Sequence, residues 1–265
     1  MVHRLLISTI SALSQKVTAE MDYSSLAYSY IISGLLEILI PLAVGYYIIH
    51  KYKTSWKTFI IGGIMFLISL IRIPLNSIAT TTISSMGGPY TYTLIVAFAS
   101  LTAGLFEETA RYVSYRYLVK DHRIENGLTY GAGHGGTESI ILVGLNVAII
   151  GYLLLANPSA IPASHLALLA ASPTYTPFLG VFERAMTLIV QISLSIMVLM
   201  TFITGRKIYY GAAIVIHFLL DVIAVLISSY GIVYSELVVA VFALGLGYWT
   251  YNMISKKQPE SPISK

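Results

Sequence analysis

No cysteine occurs anywhere in the 265 residues, which excludes disulfides, thiolate catalysis and cysteine-ligated metal sites. Charge is scarce too: 11% of the residues are Asp, Glu, Lys or Arg, against 56% that are hydrophobic. The chain has no polar stretch long enough to make a soluble domain, no internal repeat and no low-complexity linker. Composition of this kind belongs to an integral membrane protein.

What the chain does have is a succession of apolar runs of about 20 residues, each long enough to cross about 30 Å of hydrocarbon as a helix. Seven spans are expected, near residues 26–49, 58–80, 91–118, 127–155, 178–203, 208–229 and 232–253. The expected fold class is therefore all-α, a polytopic membrane helix bundle of seven, at most eight, transmembrane helices in a single integral domain over residues 1–255. The segment HRLLISTISAL has a basic residue before a short apolar patch, but Ser8, Thr9 and Ser11 interrupt the patch and no A-x-A site follows. An attached interfacial helix over residues 1–22 is expected there. Residues 256–265 read as a disordered cytoplasmic tail. Between the fourth and fifth spans, IPASHLALLAAS is too short to cross and suits a surface helix or a re-entrant segment.

Basic residues cluster after alternate spans: Lys51, Lys53 and Lys57; Arg116, Lys120 and Arg123; Arg206 and Lys207; Lys256 and Lys257. The intervening loops carry none. Positive-inside logic then places the protein in the cell membrane as a multi-pass protein, with the N-terminus outside and the C-terminus cytoplasmic. Trp56, Trp249, Tyr46, Tyr47, Tyr209 and Tyr210 fall at the same ends of the spans, as an interfacial aromatic belt requires. Because these clusters lie between spans rather than on one face, the net charge of +4 is a topology signal and not a nucleic-acid footprint. The lipid bilayer is the expected partner, and no nucleic acid is.

An ionisable side chain inside the bilayer costs a few kcal/mol and so requires a partner or a function. FEETARYVSYRYL, at the end of the third span, places Glu107, Glu108 and Arg111 there. On a helix both carboxylates come within reach of one guanidinium, which cannot neutralise two. Either one carboxyl is protonated or another cation or a metal attends it. GAGHGGTES opens the fourth span with His134 and Glu138 one turn apart, among glycines that let another backbone, from a helix or a bound peptide, come close. HFLLD repeats the spacing in the sixth span, where Asp221 is placed to fix the tautomer of His217.

Depth joins the three motifs. Glu107 lies about 9 residues before Arg116, His134 about 11 after Arg123 and His217 about 10 after Lys207, which puts all three roughly 13–17 Å from the basic clusters. Elsewhere, Glu37 and Arg72 are expected to pair between spans. Glu183 and Arg184 point about 100° apart on a helix and are expected to bind neighbouring helices rather than each other.

A glutamate and an imidazole at one wet point can activate water, and a second histidine can stabilise the oxyanion of a cleaved amide. No cofactor is certain. The same set, His134, His217 and Glu107, has the donor types of a catalytic zinc site, although H-E-x-x-H is absent.

The order EETAR, GAGHGGTE, HFLLD, each on its own span across about residues 91–229, resembles the YhfC family of intramembrane proteases, in a superfamily with the CAAX prenyl endopeptidases, the abortive-infection-type proteases and PrsW. Tyr130 stands ahead of His134 where phenylalanine is usual, and Asp221 closes the third motif in place of an amide. The resemblance implies an intramembrane endopeptidase of glutamate or metallo type, acting on a membrane protein or a lipidated peptide. It implies that Glu107 and His134 activate water, that His217 and Asp221 serve the oxyanion and that Arg111 supports the glutamates. The alternative is a proton- or ion-coupled transporter, which would also keep carboxylates and histidines in the membrane.

Overall fold

Without water to complete hydrogen bonds, an apolar chain must close its backbone bonds within each segment. The structure, a computed structural model, describes residues 22–255, and no strand occurs among the described residues. The segments 1–21 and 256–265, with the expected interfacial helix and tail, lie outside them.

The helices are α1 (Ser24–Tyr52), α2 (Trp56–Ser69), α3 (Arg72–Met86), α4 (Thr91–Tyr117), α5 (Ile124–Glu138), α6 (Leu145–Ala156), α7 (Ala163–Ala171), α8 (Thr176–Thr204), α9 (Ile208–Ile227) and α10 (Ile232–Ser255). Seven stretches are long and apolar enough to cross a membrane: Ser24–Tyr52, Trp56–Met86, Thr91–Tyr117, Ile124–Ala156, Thr176–Thr204, Ile208–Tyr230 and Ile232–Ser255. These are the seven expected spans. α7 occupies the short apolar segment between the fourth and fifth of them.

Two spans are compound. The second breaks between α2 and α3, so Arg72 begins a new helix part-way along it. In the fourth, α5 continues into one wide, π-type turn, Ser139–Gly144, before α6. Such turns change the facing of the residues beyond them and often accompany functional sites.

The described residues divide into two compact units. One comprises residues up to Leu39 and Ile140–Phe182, with an apolar core of Tyr23, Leu26, Ala27, Leu154, Ile161 and Leu166. The other comprises Ile40–Ser139 and residues from Glu183 onward. It contains the three motifs, and its helices bury a polar cluster among apolar neighbours such as Tyr115, Leu194 and Leu199.

Within this second unit, α2 lies against α5 and α4 against α9. A side chain at Gly133 would overlap the backbone carbonyl of Phe59. Gly133 thus admits the backbone of α2, and Gly131 that of α8 at Ile192. One at Gly104 would stand 2.9 Å from the carbonyl oxygen of Ile214 and 3.4 Å from Cβ of His217. That close approach brings His217 beside the glutamates of α4.

Candidate active site

α4 presents Glu107, Glu108 and Arg111 near the middle of its span, and all three are buried. Their partners resolve the charge imbalance. Arg111 pairs with Glu108 one turn away, and Arg72, from the start of α3, donates to Glu107 Oε1 at 3.2 Å. The second cation is therefore a second arginine. Arg72 was expected to pair with Glu37. It turns to Glu107 instead because the break before α3 delivers it at the head of a helix, beside α4.

His134, from α5, and His217, from α9, both reach the glutamates of α4. His134 Nε2 lies 3.2 Å from Glu107 Oε2. With Nε2–H donating to the carboxylate, its Nδ1 is left without a hydrogen-bond partner. His217 Nδ1 lies 2.7 Å from Glu108 Oε1, while its Nε2 is 4.0 Å from Glu107 Oε2 and 3.6 Å from Asp221 Oδ2. A separation of 3.6 Å is too long for a hydrogen bond. The tautomer of His217 is thus fixed by Glu108, not by Asp221. A carboxylate so held on Nδ1 orients the ring and leaves Nε2 to act.

Glu138 does not pair with His134 on its own helix face. It reaches α8, where Arg184 Nη1 donates to its Oε1 at 3.0 Å and the Gln191 amide donates to its Oε2. Arg184 also pairs with Glu183, against the expectation that these neighbours act apart: its long arm bends back across the roughly 100° between them.

Gln191 was not singled out by the sequence. Buried on α8, it accepts from Arg111 and donates to Glu138 and, at 3.5 Å, to Glu107. Only an amide carries the acceptor and the two donors that this position between a guanidinium and two carboxylates demands. Ser195, one turn on, accepts from Arg111 Nε at 3.0 Å. The available signal was Arg184, Gln191 and Ser195, polar residues recurring at helical spacing along a hydrophobic span.

A cavity of about 480 Å³ opens beside this cluster, with Arg72, Glu107, Glu138, Gln191, His217 and Asp221 on its wall. Six of the seven expected residues, all but Asp221, are joined by hydrogen bonds in one network through Gln191. His134 is fully buried behind Glu107, with its ring edge-on to Phe66. The three residues expected to enclose one pocket thus divide: Glu107 and His217 face it, and His134 supports Glu107 from behind.

Two imidazoles and a carboxylate are donors of the kind zinc takes. The Nδ1 bond of His217 to Glu108 leaves its Nε2 free for such a role, as carboxylates behind the ligating imidazoles do in zinc sites. The donor types therefore fit a metal, although among the described residues no three His, Asp or Glu side chains already stand as a ligand shell.

Comparison with known proteins points to one family. The model of a family described as "YhfC intramembrane metalloprotease" matches residues 36–243. A curated protein of Bacillus subtilis (strain 168), "Uncharacterized membrane protein YhfC", is 30% identical over 243 residues, covering 82% of this chain and 92% of that protein. No solved structure matches.

Proposed function

We propose that this chain, which belongs to the YhfC intramembrane metalloprotease family, is an endopeptidase that hydrolyses a peptide bond of a membrane protein or lipidated peptide, with Glu107 as the base that activates water. One observation carries the assignment: Glu107 is a carboxylate on a cavity wall inside the membrane, held on one oxygen by Arg72 and on the other by His134. A group gripped on both oxygens is aimed before substrate arrives.

Water in the cavity gives its proton to Glu107 as its oxygen attacks the carbonyl carbon. His134, donating to Oε2, positions that carboxylate. His217 donates to the carbonyl oxygen as an imidazolium, with Nδ1–H on Glu108 and Nε2–H on the oxygen as it gains charge. The proton on Glu107 then passes to the leaving amine, which balances the hydrolysis. Arg111 sets Glu108 and, through Gln191, the neighbouring carboxylates. A zinc ion would be held by His217 and Glu107, and by His134 only in place of its bond to Glu107, and it would supply Lewis-acid polarisation of the substrate and a lower pKa for water.

The Lys and Arg distribution favours a cytoplasmic C-terminus. In that orientation the cavity leads from Glu107 toward the outer ends of α9 and α10. The test is cleavage of a membrane-spanning peptide by protein reconstituted in vesicles made up in ¹⁸O-labelled water. Hydrolysis places one labelled oxygen in the new carboxyl terminus. An intact peptide under conditions where the protein is folded, or cleavage without label, overturns the assignment.

A further inference from the structure

Beyond Glu107 the cavity continues along His217, Asp221 and Ala224 of α9 to Ser228 just past its end, and its lining carries two carboxylates that hydrolysis does not use, Glu183 and Glu236. Glu236 is only 7% exposed, and its Oε2 is buried without a hydrogen-bond partner. A buried carboxylate left in that condition is costly unless a cation or a donor reaches it. Arg184 is already shared between Glu138 and Glu183. Three carboxylates, Glu138, Glu183 and Glu236, therefore line a wall that has one guanidinium among them, and the cavity gives a ligand access to the shortfall.

The depth of this wall is fixed by a contact between helices. Ser235 Oγ donates to the Ala224 carbonyl at 3.1 Å, so Glu236 lies near the level of Ala224. The seven residues from His217 to Ala224 correspond to about 10 Å along the helix, or about three residues of extended peptide. Ala99, Ala103, Val225 and Val239 also line the cavity, and their apolar side chains suit the methylene stem of a long cationic side chain whose head needs an anion.

We propose that Glu236, together with Glu183, forms a subsite for the cationic side chain of a substrate, a lysine or an arginine about three residues from the bond presented to Glu107. This rests on the endopeptidase assignment and adds to it a preference for basic sequence. The geometry also sets its direction: the basic residue lies on the side of the bond that faces the α9–α10 turn.

The test uses fluorescent membrane-spanning peptides that are identical except for one lysine, moved through eight positions, with norleucine versions as neutral controls. Binding to the purified full-length protein is measured separately from cleavage. Lysine at one position, or at two adjacent ones, should bind at least about tenfold more tightly than norleucine, as one charge-assisted hydrogen bond would give. Glu236→Gln should reduce that ratio to under about twofold, and Glu236→Asp should restore part of it. Glu183→Gln, which leaves Glu236 in place, should lower it by a smaller factor. Equal affinity for lysine and norleucine peptides at every position, or a full preference retained in folded Glu236→Gln, overturns the subsite. Lysine-selective binding without any cleavage upholds the subsite and counts against the protease; cleavage indifferent to lysine does the reverse.

Discussion

The two sides of α4 that carry Glu107 and Glu108 begin from the same residue type and differ in what encloses them. On the Glu108 side the ion pair is sealed: Arg111 and Glu108 are wholly buried, with His217 Nδ1 bonded to Glu108 and Gln191 to Arg111. On the Glu107 side the partners are looser. Arg72 bonds from a partly exposed position at 3.2 Å, His134 stands at the same distance, and a cavity opens alongside. An ion pair sealed from water holds helices in register, because removing either partner leaves an uncompensated charge. A carboxylate beside a cavity can exchange protons with what enters it. One helix turn thus carries one acid sealed among its partners and one that a cavity reaches.

The largest expected effects separate these sides on different measurements. Glu107→Gln should cut peptide cleavage at least about a thousandfold while leaving thermal unfolding in detergent nearly unchanged. Glu108→Gln should do the opposite first, destabilising the fold by about 3–5 kcal/mol because Arg111 is left buried without a counter-charge. If the two variants behave alike on both measurements, the distinction between the sides fails.

A smaller effect sharpens the Glu107 side. Arg72→Met removes one charge-assisted bond, of about 1.5–3 kcal/mol, from the reactive carboxylate. Cleavage should fall about ten- to a hundredfold, with a melting-temperature change well below that of Glu108→Gln. Unaltered cleavage would show that Arg72 takes no part in setting Glu107.

The smallest effect expected probes placement rather than charge. Gly133→Ala would push α5 away from the Phe59 carbonyl of α2, at about 1–3 kcal/mol of stability. Because His134 sits on that interface behind Glu107, cleavage by the folded fraction should also drop. A loss of stability with full specific activity would separate the helix contact from the site.

Much of this was legible beforehand, for identifiable reasons. Spans are set by the length of apolar runs, and a bilayer fixes that length within a few residues. Glu107, His134 and His217 stood out because ionisable groups in such runs are rare, and counting from the basic clusters put them at one depth. Partner choice was less legible. Arg72 was expected beside Glu37, yet it bonds Glu107 because the second span breaks. Asp221 was expected to hold the His217 ring, yet Glu108 takes that place from another helix, where Gly104 lets α9 approach. Gln191 escaped notice because an uncharged amide in a long apolar helix raises no alarm by composition, although its position between Arg111, Glu107 and Glu138 makes it the link among them.

The sequence by itself determined that the chain crosses a membrane seven times and carries an acid and two imidazoles at a common depth, because burial in hydrocarbon penalises each polar residue individually and so marks it. Tertiary structure alone decided which glutamate is sealed and which faces the cavity, and where a buried carboxyl oxygen is left without a partner along its wall. Those outcomes depend on which helix backbones come within a few ångströms of one another, and a side chain's partner is set by that approach rather than by its own position in the chain.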